Sequence, residues 1–411
     1  MPEFLELLPP TLALELLFKN LPQKTPRTET IETQNALGRI TAQAVLSPED
    51  LPAFPRSTVD GYAVRARDTF GASDTLPAYL NVVGEVPMGG APQFEISKGQ
   101  AALIHTGGML PRGADAVVMV EMIQSSRDGE IEVLKAVAGL ENVIQPGEDV
   151  QAGNEVIPAG VKLRPAEIGG LFALGIMKVP VAKKPIVGII STGDEVIPPD
   201  QKAAPGQVRD INSYTLAALV EQCGGEVIRY GILPDQREII TNGVKRALDE
   251  CDLVVITAGS SASTRDMTAD IINQLGKPGV LVHGVNVKPG KPTILAVCDG
   301  KPIIGLPGNP VSALVIAGLF VRPVVDLLSG IRKCRSAASL SARLTINLSS
   351  QAGREDFIPV ELVSTPKGWD AEPIFYKSNL IFTLSRADGL VHIPADANGL
   401  AAGEQVEVQI L

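Results

Sequence analysis

The chain has 411 residues, of which 45% are hydrophobic and 20% charged, and its formal net charge is −10. These values are typical of a globular protein of roughly two to four domains. The acidic balance argues against a broad nucleic-acid interface, which needs a basic surface. The cysteines, Cys223, Cys251, Cys298 and Cys334, lack CxxC spacing, so we interpret them as buried thiols of a reducing compartment. We find no signal peptide and no long apolar run, and therefore expect a cytoplasmic protein without membrane contact.

The first half of the chain contains predicted helices on either side of a β-rich region. Leucines near helical spacing predict a helix over residues 4–20, and an amphipathic stretch predicts a second one over 30–44. Between residues 79 and 134, short β-prone runs alternate with Gly/Pro turns, which predicts a small all-β domain. Residues 164–175 return to helical spacing.

Strands and helices alternate from residue 185 onwards, which predicts a parallel, doubly wound α/β sheet. Asp235 and Glu238 have the spacing of a capping box, so Asp235 is the predicted N-cap of the helix that follows. Asn309 and Pro310 predict the start of an apolar helix. Beyond residue 334 the runs are short and β-prone again, which indicates a separate C-terminal β domain.

Three polar loops each follow a short apolar run in the α/β region. They are STGDE at residues 191–195, AGSSASTRD at 258–266 and PGNP at 307–310. Ligands of open parallel sheets bind beyond the carboxyl ends of the strands, so the three loops predict one composite pocket. Backbone N–H groups together with carboxylates suit a phosphorylated ligand held with a divalent cation.

The acidic and basic motifs each have a structural alternative. Asp194 and Glu195 are either Mg²⁺ ligands or an acidic turn near a helix start. Asp266 either serves an anion site or caps the following helix. Lys288 and Lys291, in KPGKP, either bind an oxyanion or are two exposed turn lysines.

Two further features of the sequence bear on catalysis. The segment PAFPRSTVDGYAV, residues 52–64, is either a turn-rich loop or a rigid loop that directs Asp60 at a ligand. The chain has three histidines and no zinc signature or nucleophilic triad, and we interpret His105 and His283 as structural. Chemistry without a covalent nucleophile is therefore expected.

Six motifs, taken in order, resemble molybdopterin molybdenumtransferase, the bacterial family whose eukaryotic relative is the gephyrin E domain. They are PRSTVDGYAV, HTGGMLPRGADAVV, PGEDV, STGDEV, KPGKP and GLPGNPVSA. The resemblance covers nearly the whole chain. It implies a multidomain α/β plus β fold with a central doubly wound, molybdopterin-binding-like α/β domain, an inserted small β domain and a C-terminal β-barrel domain. We assign residues 1–50 and 145–182 to a linker domain, 51–144 to the inserted domain, 183–330 to the α/β domain and 331–411 to the barrel.

The resemblance also implies a reaction and partners. Molybdate is inserted into adenylylated molybdopterin with Mg²⁺, and AMP is released. The expected enzyme is a homodimer with its active site between the α/β domain of one subunit and the β domain of the other. Molybdopterin adenylyltransferase and molybdoenzyme-maturation proteins are the expected transient partners.

The candidate site residues follow from the resemblance and from the three loops. The catalytic candidates are Asp60, Thr106, Asp149, Asp266, Lys288 and Lys291, the metal-binding candidates are Asp194, Glu195 and Asp235, and the substrate-binding candidates are Ser191, Thr192, Gly193, Gly259, Ser260, Ser261, Pro307, Gly308, Asn309 and Pro310.

The chain departs from the family pattern in its second loop. The family has GGVSVG before an acid, whereas here Ala258 and Ser263 replace glycines and Arg265 adds a positive charge. Gly284 stands where the family has a further lysine, and Thr383 where it often has serine. These changes leave two alternatives open, a paralogue specific for tungstate and a non-enzymatic molybdopterin-binding scaffold. An adenylyltransferase acting one step earlier is disfavoured by the extra β domains.

Overall fold

The computed structural model describes residues 7–22, 25–258, 262–332, 338–375 and 377–411, without the side chains of residues 262–265. The chain forms two compact units. The larger comprises Met1–Ala42, Gly160–Arg164 and Val179–Leu411, and the smaller comprises Gln43–Ala159 and Pro165–Lys178. The predicted division into four domains stays a prediction.

The smaller unit contains the inserted β domain, a six-stranded sheet. In spatial order its strands are Ala116–Met119, Gly61–Val64, Gln100–Ile104, Ala78–Glu85, Glu130–Val133 and Ile123–Arg127. Val64 and Ala116 are buried in a cluster on one face of the sheet, and the adjacent residues Ala63 and Val117 are buried in a second cluster on the other face. This is expected because successive side chains of a strand point to opposite faces. Short strands add two further pairs, Arg56–Ser57 with Val143–Ile144 and Val45–Leu46 with Glu155–Ile157. The predicted helix of residues 164–175 is confirmed as Pro165–Ala173.

The α/β domain of the larger unit is built on a second six-stranded sheet. In spatial order its strands are Glu226–Leu233, Ile186–Thr192, Leu253–Ala258, Lys301–Pro307, Ile294–Cys298 and Pro278–His283. The first four strands are parallel to one another. Burial on both faces explains the near-continuous apolar sequences of Ile186–Thr192, Leu253–Ala258 and Lys301–Pro307.

Helices cover both faces of this sheet, which confirms the doubly wound prediction. Pro10–Asn20, Asn212–Gln222 and the continuous helix Pro310–Leu328 cover one face, and Arg237–Glu250 and Ala262–Leu275 cover the other. Among the described residues, Pro310–Leu328 is the one helix long and apolar enough to cross a membrane, with a mean hydropathy of 2.0. Its apolar side chains, such as Val315 and Phe320, pack in the core of the domain, so we interpret it as a core helix.

The sheet is not fully parallel, contrary to the sequence-based expectation. Ile294–Cys298 runs antiparallel to both of its neighbours, Lys301–Pro307 and Pro278–His283. The cause is a two-residue hairpin turn at Asp299–Gly300, where both residues have positive φ, 48° and 81°. An Asp-Gly pair is a strong hairpin signal, so the sequence contained the information that the prediction missed.

The predicted helix over residues 30–44 is wrong. This segment contains the strand Thr28–Glu32 and a single 3₁₀ turn, Thr33–Asn35, and then makes isolated bridges from Ile40 to Lys162 and from Thr41 to Val181. Gly38 has a φ of +75°, a conformation that ends any helix. Amphipathic spacing alone misled the prediction, because the apolar positions face β partners.

The C-terminal domain is a closed five-stranded β-barrel, as predicted. Its strands are Ser339–Leu344, Glu355–Thr365, Gly368–Pro373, Gly389–Ile393 and Gln405–Ile410. The ring closes because Glu355–Thr365 pairs with both Gly368–Pro373 and Gly389–Ile393. A two-residue strand of the α/β domain, Val287–Lys288, adds to the barrel in parallel with Glu355–Asp356. The smaller elements of the larger unit are Lys178–Ala182, Val196–Ile197, Val208–Arg209, Leu348–Ser349, Phe382–Ser385 and Gly399–Leu400.

Candidate active site

The three polar loops emerge from neighbouring strands of the α/β sheet. Ile186–Thr192, Leu253–Ala258 and Lys301–Pro307 are adjacent and parallel, so the loops that follow them lie at one edge. The chain leaves Ile186–Thr192 and returns as Glu226–Leu233, its neighbour on one flank in the sheet. Leu253–Ala258 is its neighbour on the opposite flank. The first two loops therefore flank a topological switch point, the usual place for a ligand in this architecture.

The hydroxyl groups of Ser191 and Thr192 are used inside the protein. Both residues are buried; Ser191 Oγ donates to Asp210 Oδ1 at 3.1 Å, and Thr192 Oγ1 donates to the Thr257 carbonyl at 3.4 Å. The Thr257 hydroxyl in turn donates to Ser191 Oγ at 3.3 Å. These predicted substrate-binding side chains therefore hold two loops together. The backbone of Gly193 is used inside the protein as well, because its N–H donates to the Leu233 carbonyl at 3.3 Å and its carbonyl accepts the Val196 N–H at 3.2 Å. The groups that the first loop offers to a ligand therefore begin at Asp194.

Asp210 and Asn212 are residues of this edge that the sequence analysis missed. Asp210 is 6% exposed and accepts hydrogen bonds from the Ser213 N–H, at 3.1 Å, and from the Ser213 hydroxyl. Asn212 Nδ2 donates to the Gly308 carbonyl at 2.8 Å, which ties the PGNP loop to the same network. An Asp three residues before a Ser at a helix start is a capping pattern that could have identified Asp210.

The first acidic loop meets the segment that precedes the next helix. Asp194 Oδ1 accepts the Asp235 N–H at 3.1 Å. The Glu195 side chain folds over Gly193, because a Cβ at that glycine would lie 2.8 Å from Glu195 Oε2. Among the described residues no three His, Cys, Asp or Glu side chains are grouped to hold a metal. Asp194 and Asp235 thus form an acidic edge whose oxygens suit Mg²⁺ only with further ligands from substrate and water.

Asp235 and Asp266 do not cap helices. The helix after Asp235 is Arg237–Glu250 and its N-cap is Gln236, so the predicted capping box is wrong. Asp266 lies inside Ala262–Leu275 and is exposed, so the helix begins before it. Asp266 is therefore not the N-cap of this helix, and its carboxylate remains a catalytic candidate. Gly259, Ser260 and Ser261 lie outside the described residues.

The KPGKP loop packs against the helix that follows PGNP. Gly290 has a φ of +109°, and a Cβ there would lie 2.1 Å from Ile316 Cγ1. The glycine therefore permits a close approach that no other residue would allow. Lys288 and Lys291 are exposed on either side of the buried Gly290. This contact joins KPGKP to the helix that PGNP opens, although the two motifs are separate in sequence.

A buried carboxylate of the barrel organises two cations beside this loop. Asp356 is 0% exposed and accepts two hydrogen bonds from Arg354, at 2.7 and 3.0 Å. Lys288 Nζ lies 4.0 Å from Asp356 Oδ2. The sequence analysis missed Arg354 and Asp356 because only the pairing of Val287–Lys288 with the barrel brings them to KPGKP.

PGNP also contacts the C-terminal domain. Asn309 is the N-cap of the helix that begins at Pro310, as predicted, without a side-chain capping bond. The Val311 N–H donates to the Ser378 carbonyl at 3.1 Å. Pro307 ends its strand and is buried, and Gly308 accepts from Asn212. The loop is therefore fixed from two directions.

Two catalytic candidates meet in the smaller unit. Asp60 Oδ1 accepts the Thr106 N–H at 2.7 Å and the Thr106 hydroxyl at 3.1 Å. The backbone bond and then the hydroxyl bond hold the pKa of Asp60 below its ordinary value. Asp149 is exposed and its N–H donates to the Leu51 carbonyl at 3.0 Å. All residues of this unit are described, and no hydrogen bond or ion pair among them joins Asp149 to Asp60.

The described cysteines are free thiols, as predicted. Cys251 and Cys298 are buried, as predicted, whereas Cys223 is only half-buried, and Cys334 lies outside the described residues. Burial raises the pKa of each of the three, and that of Cys298 to about 11. A raised pKa suppresses the thiolate, so these side chains are structural.

Comparison with known families agrees with this architecture along the chain. Three family models match: the MoeA N-terminal region (domain I and II) over residues 8–175, the Probable molybdopterin binding domain over 188–326, and the MoeA C-terminal region (domain IV) over 341–411. The chain is 36% identical to a molybdopterin biosynthesis protein of Methanocaldococcus jannaschii, with 98% of each chain covered. It is 34% identical to the molybdopterin molybdenumtransferase of a Nostoc species, over 93% of this chain and 88% of the relative.

Solved structures give the same result. The molybdopterin biosynthesis moeA protein of Pyrococcus horikoshii OT3 has a TM-score of 0.86 at 34% identity, covering 99% of this chain and 100% of its own. The fold and these matches define a molybdopterin-handling transferase of molybdenum cofactor biosynthesis. The chain belongs to the MoeA family of molybdopterin molybdenumtransferases.

Proposed function

We propose that this enzyme inserts molybdenum from molybdate into adenylylated molybdopterin, in a Mg²⁺-dependent step that releases AMP. The observation that carries the proposal is the convergence of two kinds of group on neighbouring loops of the larger unit. Asp194, on the first loop, accepts the N–H of Asp235 and forms an acidic edge with it. Cations lie on KPGKP and at Arg354, which shares the Asp356 carboxylate with Lys288.

The cationic side suits the oxyanion. Molybdate carries two negative charges, and Lys288, Lys291 and Arg354 are exposed or half-exposed cations in a chain of net charge −10. Arg354 is fixed by Asp356, so its orientation needs no reorganisation when an anion arrives. Preorganised cations of this kind stabilise charge that develops in a transition state.

The acidic side suits the adenylyl group through Mg²⁺. Bound Mg²⁺ would supply charge neutralisation for the pyrophosphate bond that breaks. Asp194 and Asp235 would hold it together with substrate oxygens and water, which agrees with the absence of a three-carboxylate cage among the described residues. Backbone N–H groups beyond Gly193 would orient the phosphates. AMP leaves when water or the oxyanion takes its place on the remaining phosphate, and no covalent enzyme intermediate is required.

Two other readings remain testable within the same family. A paralogue specific for tungstate is favoured by the altered AGSSASTRD loop. A non-enzymatic scaffold is disfavoured by the retained acidic and basic groups. We further propose a cytoplasmic homodimer that meets molybdopterin adenylyltransferase and molybdoenzyme-maturation proteins transiently.

The test is AMP release from adenylylated molybdopterin by purified protein, with Mg²⁺ and with molybdate or tungstate. Asp266→Asn removes a charge on the helix Ala262–Leu275, and Asp270→Asn is its matched control. Asp270 lies one turn further along and pairs with Arg237 at 3.1 Å on the surface. We expect oxyanion-dependent release that falls roughly 100-fold or more in Asp266→Asn and stays near wild type in Asp270→Asn. Tight substrate binding without AMP release in the presence of either oxyanion would favour the non-enzymatic scaffold. A preference for tungstate over molybdate would identify the tungstate-specific paralogue.

A further inference from the structure

His105 lies between two carboxylates of the inserted β domain. Its Nε2 is 3.3 Å from Glu85 Oε1, and its Nδ1 is 3.7 Å from Asp60 Oδ1. The same Asp60 oxygen accepts both hydrogen bonds from Thr106. The imidazole is thus one member of a row, Glu85–His105–Asp60–Thr106, that ends at two catalytic candidates.

The ring has no packing role that would explain this position. The His105 side chain is 43% exposed, and so it is not a core histidine. The turn that contains it is fixed by the backbone: the Gly108 N–H donates to the His105 carbonyl at 2.9 Å, and Gly107 and Gly108 exchange hydrogen bonds with Ser57 at 2.8 and 3.0 Å. The loop therefore keeps its shape without the imidazole.

The chemistry of imidazole makes this row sensitive to protonation. A protonated ring donates from both nitrogens and so satisfies Glu85 and Asp60 together. A neutral ring donates from one nitrogen and turns a lone pair towards the other carboxylate. Protonation therefore favours the arrangement seen here, and loss of the proton opposes it.

We propose that His105 is a positioning residue that holds the Asp60 carboxylate against Thr106 when its ring is protonated. The proposal deepens the proposed function, because it assigns a supporting side chain to the Asp60 end of the reaction site. The groups facing the ring are Asp60 on the loop before Gly61–Val64 and Glu85 at the end of Ala78–Glu85. Loss of the ring proton removes this restraint from Asp60.

The first test does not depend on activity. The chain has three histidines, so ¹⁵N-histidine labelling of the full-length protein gives few ring signals to assign. Asp60→Asn and Glu85→Gln should each change the His105 ring signals at neutral pH. Glu95→Gln is the matched control, because Glu95 pairs with Arg112 at 3.7 Å on the surface of the same domain. Unchanged His105 signals in both site variants would refute the contact.

The second test is the pH profile of AMP release. His105→Gln should lower kcat about tenfold near neutral pH, as expected for loss of a charged hydrogen bond, and should remove the decline on the alkaline side. His105→Lys keeps a permanent charge and should retain more activity than His105→Gln at high pH. A wild-type profile in His105→Gln, together with an inactive Asp60→Asn, would overturn the positioning role and leave the proposed function intact. No AMP release by the wild-type enzyme would instead count against the proposed function.

Discussion

At the scale of single residues, two ion pairs in the barrel have similar geometry and differ in how deeply they are buried. Asp356 binds Arg354 through two hydrogen bonds at 2.7 and 3.0 Å, and Asp370 binds Arg343 through two at 3.0 and 2.8 Å. The side chains of Asp356 and Arg354 are 0% and 27% exposed, whereas those of Asp370 and Arg343 are 16% and 51% exposed. Removing one partner of a buried pair leaves a charge without compensation, and removing one of an exposed pair does not.

We therefore expect Asp356→Asn to lower the free energy of unfolding by about 3 kcal/mol and Asp370→Asn to lower it much less. Urea unfolding of the two variants beside the wild type measures both values. Asp356→Asn should also weaken molybdate binding, because Arg354 and Lys288 lose their common anchor. Equal stability losses in the two variants would show that burial does not decide the effect.

The contact between Asp60 and Thr106 determines how the pKa of Asp60 should respond when Thr106 is replaced. The largest cause of the lowered pKa of Asp60 is the backbone N–H of Thr106, and the hydroxyl comes second. The contact therefore stabilises the fold fully above the ordinary carboxyl pKa, and its contribution is lost as pH falls through the lowered value. Thr106→Val should raise the pKa of Asp60 only part of the way back, since the N–H remains. Carboxyl ¹³C NMR titration measures this, and an unchanged pKa would contradict the role of the hydroxyl.

At the scale of elements, one glycine sets how closely KPGKP approaches the helix after PGNP. Gly290 combines a φ of +109° with a neighbouring Ile316 side chain, 2.1 Å from where a Cβ would lie. Gly403 in the barrel has a comparable φ of +87° with nothing within 4 Å. Both glycines have a positive φ, which would strain an alanine at either position. Only at Gly290 would the added Cβ also meet a crowded neighbour.

Gly290→Ala should therefore lower the free energy of unfolding by roughly 3 kcal/mol, the sum of strain and overpacking. Gly403→Ala should cost about 1 kcal/mol, from strain alone. Thermal or urea unfolding gives both, and AMP release should fall in Gly290→Ala because Lys288 and Lys291 move with the loop. If the two alanine variants lose equal stability, the crowding at Ile316 is relieved elsewhere.

At the scale of the whole molecule, the catalytic candidates are divided between the two compact units. Asp60, Thr106 and Asp149 belong to the smaller unit, and Asp266, Lys288 and Lys291 to the larger one. We propose that a homodimer completes the site by combining the smaller unit of one subunit with the larger unit of the other. Sedimentation equilibrium should give the mass of a dimer.

Mixed dimers test the shared site directly. Co-expressed Asp60→Asn and Asp266→Asn subunits, each inactive alone, form mixed dimers in which one of two shared sites has neither substitution. With random pairing we expect roughly a quarter of wild-type AMP release. Dimers that stay inactive would mean that each site lies within one subunit, and a monomeric protein would exclude sharing altogether.

The sequence alone determined the class of fold, the family and most loops of the candidate site. Apolar runs followed by Gly-rich loops are local patterns, as are the Asn309–Pro310 helix start and the spacing of KPGKP, and so they could be read without the fold. Local spacing misled the prediction where partners decide the outcome. Residues 30–44 pair as β structure instead of forming a helix, and Asp299–Gly300 reverses one strand of the sheet.

Only the tertiary structure decided which side chains meet. Asp356 and Arg354 join Lys288 through pairing between two domains, and Asp210 and Asn212 bind groups far along the chain. His105 acquires its two carboxylates from separate segments of the inserted sheet. These contacts depend on strand order and register, which follow from the packing of the whole chain. A single sequence therefore identified the residue types of the loops. The fold determined which charged and polar side chains hold those loops in place.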